Sequence, residues 1–155
     1  MKLKLFLLFL LLAGVSFAAD ADRKGWVGGP DKSWYTDYDK ALEAAKKENK
    51  KVYVLRTGSD WCGWCIKLKK DVFATREFKN FAKKNLILLY LDSPRKKRMP
   101  AEQKSYNSQI ASQLKMGGGV PSAVILDADG KEVARRSGYM KLKPYMNFLK
   151  SAVKK

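Results

Sequence analysis

Histidine is absent from this chain of 155 residues, and cysteine occurs only twice. A structural zinc site takes about four cysteine or histidine ligands, so these two thiols alone cannot complete one. Acid is scarce: 15 Asp and Glu stand against 32 Lys and Arg, a formal charge of +17. Such a charge invites a nucleic-acid reading, but no nucleic-acid-binding motif accompanies it and the chain reads as exported, so nucleic acid is set aside as a partner. The basic residues read first as a lysine-rich solvated surface, and secondly as an attraction for anionic surfaces or acidic client proteins. Internal repeats are missing, and so are apolar runs long enough to span a membrane.

What is present at the N-terminus is a leader pattern. Lys2 and Lys4 precede the apolar stretch Leu5 to Ala13, and Ser16-Phe17-Ala18 supplies small residues before a cut. The expectation is a signal peptide over 1–18, cleaved after Ala18. The mature chain would then be periplasmic or secreted and not an integral membrane protein, in a compartment where disulfides persist. Residues 19–35, rich in Gly, Asp and Trp, read as an irregular arm packed down by Trp26, Trp34 and Tyr35. Residues 36–155 fit one domain.

The two cysteines lie in Trp61-Cys62-Gly63-Trp64-Cys65. Before them, Val52 to Arg56 reads as a buried strand; after them, Ile66 to Phe73 reads as a helix. Cys62 is thus expected at a helix N-terminus, where unpaired N–H groups favour a thiolate. Cys65, three residues on, shares its face and can reach it. An exposed nucleophile with a resolving thiol is the minimum for dithiol–disulfide exchange. A purely structural bridge would close a very short loop, where cross-linking stabilises least. Two inert core thiols do not fit Trp-Cys-Gly-Trp-Cys. A metal carrier would want further soft ligands nearby, and the methionines, such as Met116, are distant in sequence.

The remaining pattern is α/β. Thr36 to Asn49 reads as a helix, with Thr36 and Asp39 as a capping box and an apolar stripe at Tyr38, Ala41, Leu42 and Ala45. Ser59 or Asp60 is expected to cap the cysteine helix. Thr75 starts a short helix with Phe78, Phe81 and Ala82 inward. Leu86 to Leu91 is unbroken apolar sequence, as in a strand buried on both faces and paired in parallel. Arg95-Lys96-Lys97-Arg98 reads first as a solvated basic loop, and secondly as a docking site for an acidic partner. Pro100 opens a helix to about Lys115 with Tyr106, Ile110 and Leu114 on one face. Val120-Pro121 precedes the strand Ser122 to Leu126, and Lys131 to Arg135 returns antiparallel. Pro144 stands in the first turn of a last helix with Tyr145, Phe148, Leu149 and Ala152 inward.

Thr57 to Cys65 before a helix, together with Val120-Pro121 before a strand, resembles the thioredoxin superfamily, in particular its exported bacterial members. The resemblance spans about residues 34–152. It implies an α/β thioredoxin-like fold, a central mixed β-sheet flanked by helices. It also implies a cis proline at Pro121 facing the sulfurs, with Val120 offering backbone hydrogen bonds to a substrate peptide. Trp61 would pack beside the site, and Gly63 and Trp64 would be the pair that tunes potential. One position departs from the family. Where thioredoxin carries a buried acid six residues before the first cysteine, this chain has Arg56. An arginine is always protonated; close to Cys65 it would favour a thiolate, and at the surface it would leave the sulfurs alone. The absence of histidine removes the Cys-x-His-Cys form of thiolate stabilisation.

These features lead to the expectation of a cell-envelope thiol–disulfide oxidoreductase. Cys62 and Cys65 are its catalytic pair, and their redox-active disulfide takes the place of any cofactor. Its partners would be protein thiol and disulfide clients and a membrane-bound electron-transfer protein, and it would act as a monomer. Gly-Trp between the cysteines resembles thioredoxin's Gly-Pro more than an oxidant's Pro-His, which leans toward a reductase. The rival is a non-catalytic binding module holding an envelope partner in the same groove.

Overall fold

The computed structural model describes residues 30–155. The leader, its cut after Ala18 and the arm as far as residue 29, with Trp26, lie outside the described residues. In chain order the elements are β1 (Trp34–Tyr35), α1 (Tyr38–Glu48), β2 (Lys51–Thr57), α2 (Gly63–Leu68), a π-helical turn (Lys69–Phe73), α3 (Arg76–Asn85), β3 (Leu86–Asp92), α4 (Ala101–Gln113), β4 (Ser122–Leu126), β5 (Glu132–Ser137) and α5 (Leu142–Val153). They build one five-stranded sheet in the order β1-β3-β2-β4-β5. β2 is its middle strand. It runs parallel to β3, with Val54 opposite Leu89, and antiparallel to β4, with Val54 opposite Val124. The sheet is therefore mixed, in an α/β architecture. No described helix is long and apolar enough to cross a membrane.

Successive side chains of a strand point to opposite faces, and that rule divides the core in two. Tyr53, Leu55, Leu88, Tyr90, Ala123 and Ile125 meet Leu68, Phe73, Phe78 and Leu149 on the face covered by α2, α3 and α5. Val52, Val54, Leu89, Leu91 and Val124 meet Ala41, Ala45 and Ile110 on the face covered by α1 and α4. All seven residues of β3 are buried, which explains its unbroken apolar sequence. Tyr53 and Tyr145 place their hydroxyls against each other inside the core and satisfy one another there.

Several local expectations are corrected. Trp34 and Tyr35 are not the end of an irregular arm; they pair in parallel with Leu88 and Leu89 as an edge strand. Helix α1 is capped by Asp37, whose Oδ1 accepts the Lys40 N–H at 3.1 Å, and not by a Thr36–Asp39 box. The stretch after the cysteines is not one regular helix: the Ala74 N–H reaches Lys69 O at 2.9 Å, and the wider turn carries Val72 and Phe73 into the core. In α4 the buried positions include Gln103 and Asn107, whereas Tyr106 and Leu114 are only partly buried. Asn107 donates to the Asp92 carbonyl at 2.9 Å and accepts from Gln103 at 2.7 Å, so polar pairing joins the apolar stripe, in which Ile110 is buried and Tyr106 and Leu114 pack against the same cluster, in tying α4 to β3. In α5, Met146 is fully inward and Phe148 only partly so.

Candidate active site

The site grows from the loop that carries β2 into α2. Gly58 O accepts the Cys62 N–H at 3.0 Å, which folds the loop back on itself. A Cβ on Gly58 would lie 2.4 Å from the Trp61 indole, so the ring can rest over this residue only because it is glycine. Ser59 and Asp60 do not cap α2 as expected. Cys62 does so itself: its Sγ accepts the Cys65 N–H at 3.2 Å. The two polar residues instead brace the loop from both sides. Ser59 donates its N–H (2.9 Å) and hydroxyl (2.5 Å) to the buried carboxylate of Asp92. Asp60 accepts the backbone N–H groups of Arg95, Lys96 and Lys97 at 2.9, 2.8 and 2.7 Å. The backbone N–H of Arg95, first among these, holds the Asp60 carboxyl below the usual carboxylate range.

Cys62 and Cys65 are joined as a disulfide, with their Cα atoms 5.2 Å apart. They are 7% and 4% exposed, so Cys62, expected to be exposed, is nearly as buried as its partner in the disulfide form. The Val120–Pro121 peptide bond is cis, and the Val120 carbonyl oxygen lies 3.6 Å from Cys62 Sγ. Hence the loop before β4 and the first turn of α2 meet at the sulfur. Around this centre stand Trp61, Trp64 and Ile66, exposed by 36%, 60% and 48%, and no other large apolar side chain of the described residues is so open. Trp61 is held in place: its Nε1 donates to Ser93 O at 2.8 Å, and the Arg95 guanidinium sits 3.9 Å over its ring. The Trp64 ring lies tilted against that of Tyr139, 5.3 Å between centroids, and Tyr139 donates to Asp71 at 2.7 Å. Gly63 is open, with no atom within 4 Å of where a Cβ would stand, so space alone does not demand glycine there.

Arg56 is the site residue that the structure moves elsewhere. Strand alternation places it with Leu91 on the α4 face, where Nη1 donates to Met116 O at 2.5 Å beside a cavity of ≈ 490 Å³. The cysteine face carries its neighbours Leu55 and Thr57, which line a small pocket with Cys65, Ser59 and Tyr90. Arg56 therefore neither approaches Cys65 nor lies free at the surface. It fastens the segment that leads to Val120. Burial, ahead of the nearby Asp92 charge, pushes the Tyr90 hydroxyl well above its ordinary value, so it stays protonated beside Cys65.

Sequence reasoning missed Asp60, Asp92, Ser93 and Tyr139 as parts of the site. Asp92 and Tyr90 could have been placed on the cysteine face by counting β3 in twos. Asp60, Ser93 and Tyr139 depend on loop conformations that no periodicity encodes. Among the described residues, no group of three or more Cys, Asp or Glu side chains is placed to hold a metal ion.

Comparison with known proteins agrees with this geometry. The family model of the thioredoxin-like domain matches residues 38–152. The disulfide bond reductase DsbH of Chlamydia pneumoniae is 38% identical over 125 residues, covering 77% of this chain and 72% of its own. A solved structure of a DsbH oxidoreductase superposes with a TM-score of 0.71 at 38% identity, over 78% of this chain and 83% of that one. A thioredoxin from Thermus thermophilus follows at a TM-score of 0.58 and 17% identity, over 76% and 84% of the two chains, a likeness of fold alone. With its paired cysteines at the junction of β2 and α2, the chain belongs to the thioredoxin-like family, as a thiol–disulfide oxidoreductase.

Proposed function

We propose that this protein reduces disulfides of other proteins outside the cytosol, with Cys62 as nucleophile and Cys65 as resolving thiol. The observation that carries the reading is the unequal setting of the two sulfurs. Cys62 Sγ receives the Cys65 N–H and faces Val120 O, at the centre of the exposed Trp61, Trp64 and Ile66 patch. Cys65 lies behind it, against Leu55, Thr57 and Tyr90. An N–H aimed at a sulfur favours its thiolate, the attacking species.

In the dithiol form, Cys62 thiolate attacks one sulfur of a client disulfide; the other client sulfur leaves as a thiolate and takes up a proton. The Cys65 thiol loses its proton and attacks Cys62 Sγ, which releases the second client thiol and closes the Cys62–Cys65 bridge. Two electrons have passed to the client. A dithiol donor on the membrane would return them by the reverse exchange. Val120 would hold the client backbone beside the sulfur, while Trp61, Gly63, Trp64 and Pro121 shape the contact surface. The reducing direction is supported by the relative named a disulfide bond reductase. The extracytosolic setting is supported by the leader pattern at Lys2, Lys4 and Leu5 to Ala13.

The test is a redox titration against dithiothreitol or glutathione buffers, combined with insulin reduction. The reading expects a potential toward the thioredoxin end, about −270 mV, and not toward the oxidant end, about −120 mV. It expects Cys62→Ser to abolish turnover and Cys65→Ser to accumulate a mixed disulfide. A potential at the oxidising end would reverse the direction. Insulin reduction at the parent rate by Cys62→Ser would end the nucleophile assignment.

A further inference from the structure

Four consecutive cations, Arg95 to Arg98, are all exposed, and none of them forms an ion pair among the described residues. Like charges in a row repel one another and favour an open, solvated loop. This loop is instead fixed against the active site. Asp60, two residues before Cys62, binds three of its backbone N–H groups, and Arg95 lies over the ring of Trp61, the residue next to Cys62. Trp61 is itself tied to Ser93, at the base of the same loop. The Asp60 carboxylate gives its oxygens to backbone N–H groups of the loop and, although its charge is felt by Lys97, it pairs with none of the cationic side chains, which leaves Lys96, Lys97 and Arg98 for another partner. The opposite flank differs: there Lys67 is paired with Asp71 at 2.7 Å, and Trp64 is covered on one side by Tyr139.

We propose that the 95–98 loop is a preformed cationic wall of the substrate groove, and that the preferred clients are extended cystine-bearing segments with carboxylates flanking the cysteine on one side. The inference rests on the reductase reading and deepens it by naming the substrate class. The client cysteine meets Cys62, its apolar neighbours lie on Trp61 and Trp64, and its acidic side chains lie along Lys96, Lys97 and Arg98. Because Asp60 has already ordered the loop, little conformational freedom is lost when the client docks. A cationic surface beside a cleft also raises the encounter rate of anionic substrates, by about tenfold or more at low salt.

The experiment uses two synthetic peptides with the same disulfide, one flanked by glutamates and one by lysines, and compares kcat/KM. A second pair with serine for cysteine is titrated for binding, so that docking is read without turnover. In about 0.01 M salt, where the screening length is about 30 Å, the glutamate peptides should be favoured at least about tenfold in both measurements. In about 1 M salt, with a screening length of about 3 Å, the ratio should fall toward one. The triple variant Lys96→Ser/Lys97→Ser/Arg98→Ser should lose most of the preference at low salt, mainly through KM. Asp60→Ala, which keeps every cation but frees the loop, should lower it in part. Equal handling of the two peptides at low salt would overturn the proposal, as would a preference undiminished in the triple variant. Selective binding of the glutamate peptide without reduction of either disulfide would instead overturn the reductase reading and leave the wall standing.

Discussion

Arg56 shows how much one side chain's direction can change a reading. Its position, six residues before the first cysteine, suggested an influence on the sulfurs, yet β2 turns it to the far face. There a charged donor meets the Met116 carbonyl at 2.5 Å. A hydrogen bond from a charged group contributes about 1.5–3 kcal/mol, and this one anchors the chain just ahead of Gly117 to Val120. Arg56→Met should therefore lower stability by roughly that amount in urea unfolding, while the potential of the Cys62–Cys65 pair stays within error of the parent. A shift in potential without loss of stability would mean that the guanidinium does act on the sulfurs. The cysteines themselves were legible in the sequence, because two thiols at this spacing between a strand and a helix leave few other readings. Their surroundings were less so. Asp60 looked like a helix cap and proved to be the clasp of a loop 35 residues away. Such a contact leaves no local trace, since an Asp before a helix has the same composition whether it caps that helix or not.

At the scale of elements, the sequence was most informative where a strand lies between two layers. The apolar run of β3 and the buried stretch of β2 both survive in the structure, because burial on two faces constrains every residue. Edges and ends were less legible. β1 is two residues long, too short for its ladder to hold it, and no period can announce it. What holds it is Trp34, whose ring sits 5.5–5.9 Å from those of Phe73, Tyr90 and Tyr53 and stacks on Phe78 at 6.4 Å. This one side chain joins β1, β2, β3, the π-helical turn and α3. Truncating a buried large aromatic costs about 3–5 kcal/mol, so Trp34→Ala should shift the urea midpoint by that equivalent. It should also expose the β1–β3 amides to hydrogen exchange before those of β2. Trp34→Phe should recover most of the loss. A midpoint unchanged in Trp34→Ala would mean that β1 contributes nothing to the fold.

Over the whole molecule, the absence of histidine becomes a statement about pH. In the disulfide form the cysteines do not titrate, so between the carboxylates and the amines only the α-amino group remains. Among the described residues the shifted carboxyls all move down: Asp31 through the Ser33 hydroxyl, Asp60 through the Arg95 backbone, Asp71 through Lys67, and Glu132 through Arg135. A depressed carboxyl stabilises the fold fully above its ordinary value, about 4, and loses that contribution as pH falls through the depressed one. The buried tyrosines move up: burial raises Tyr53 and pushes Tyr145 up to about 12. A raised tyrosine stabilises fully below about 10 and loses that contribution as pH climbs toward the raised value. Stability of the oxidised protein should therefore be flat from about pH 5 to about pH 9 and fall on both sides. The two falls should differ. Acid removes the negative charge of 15 carboxylates and leaves 32 cations unopposed, so self-repulsion grows as pairing is lost. Alkali discharges lysines and relieves repulsion while the tyrosines ionise. The urea midpoint should accordingly drop more steeply below about pH 4 than above about pH 10, and added salt should recover part of the acid loss through screening. A midpoint that moved between pH 5 and 8 would require a titrating group that this chain does not possess among its side chains.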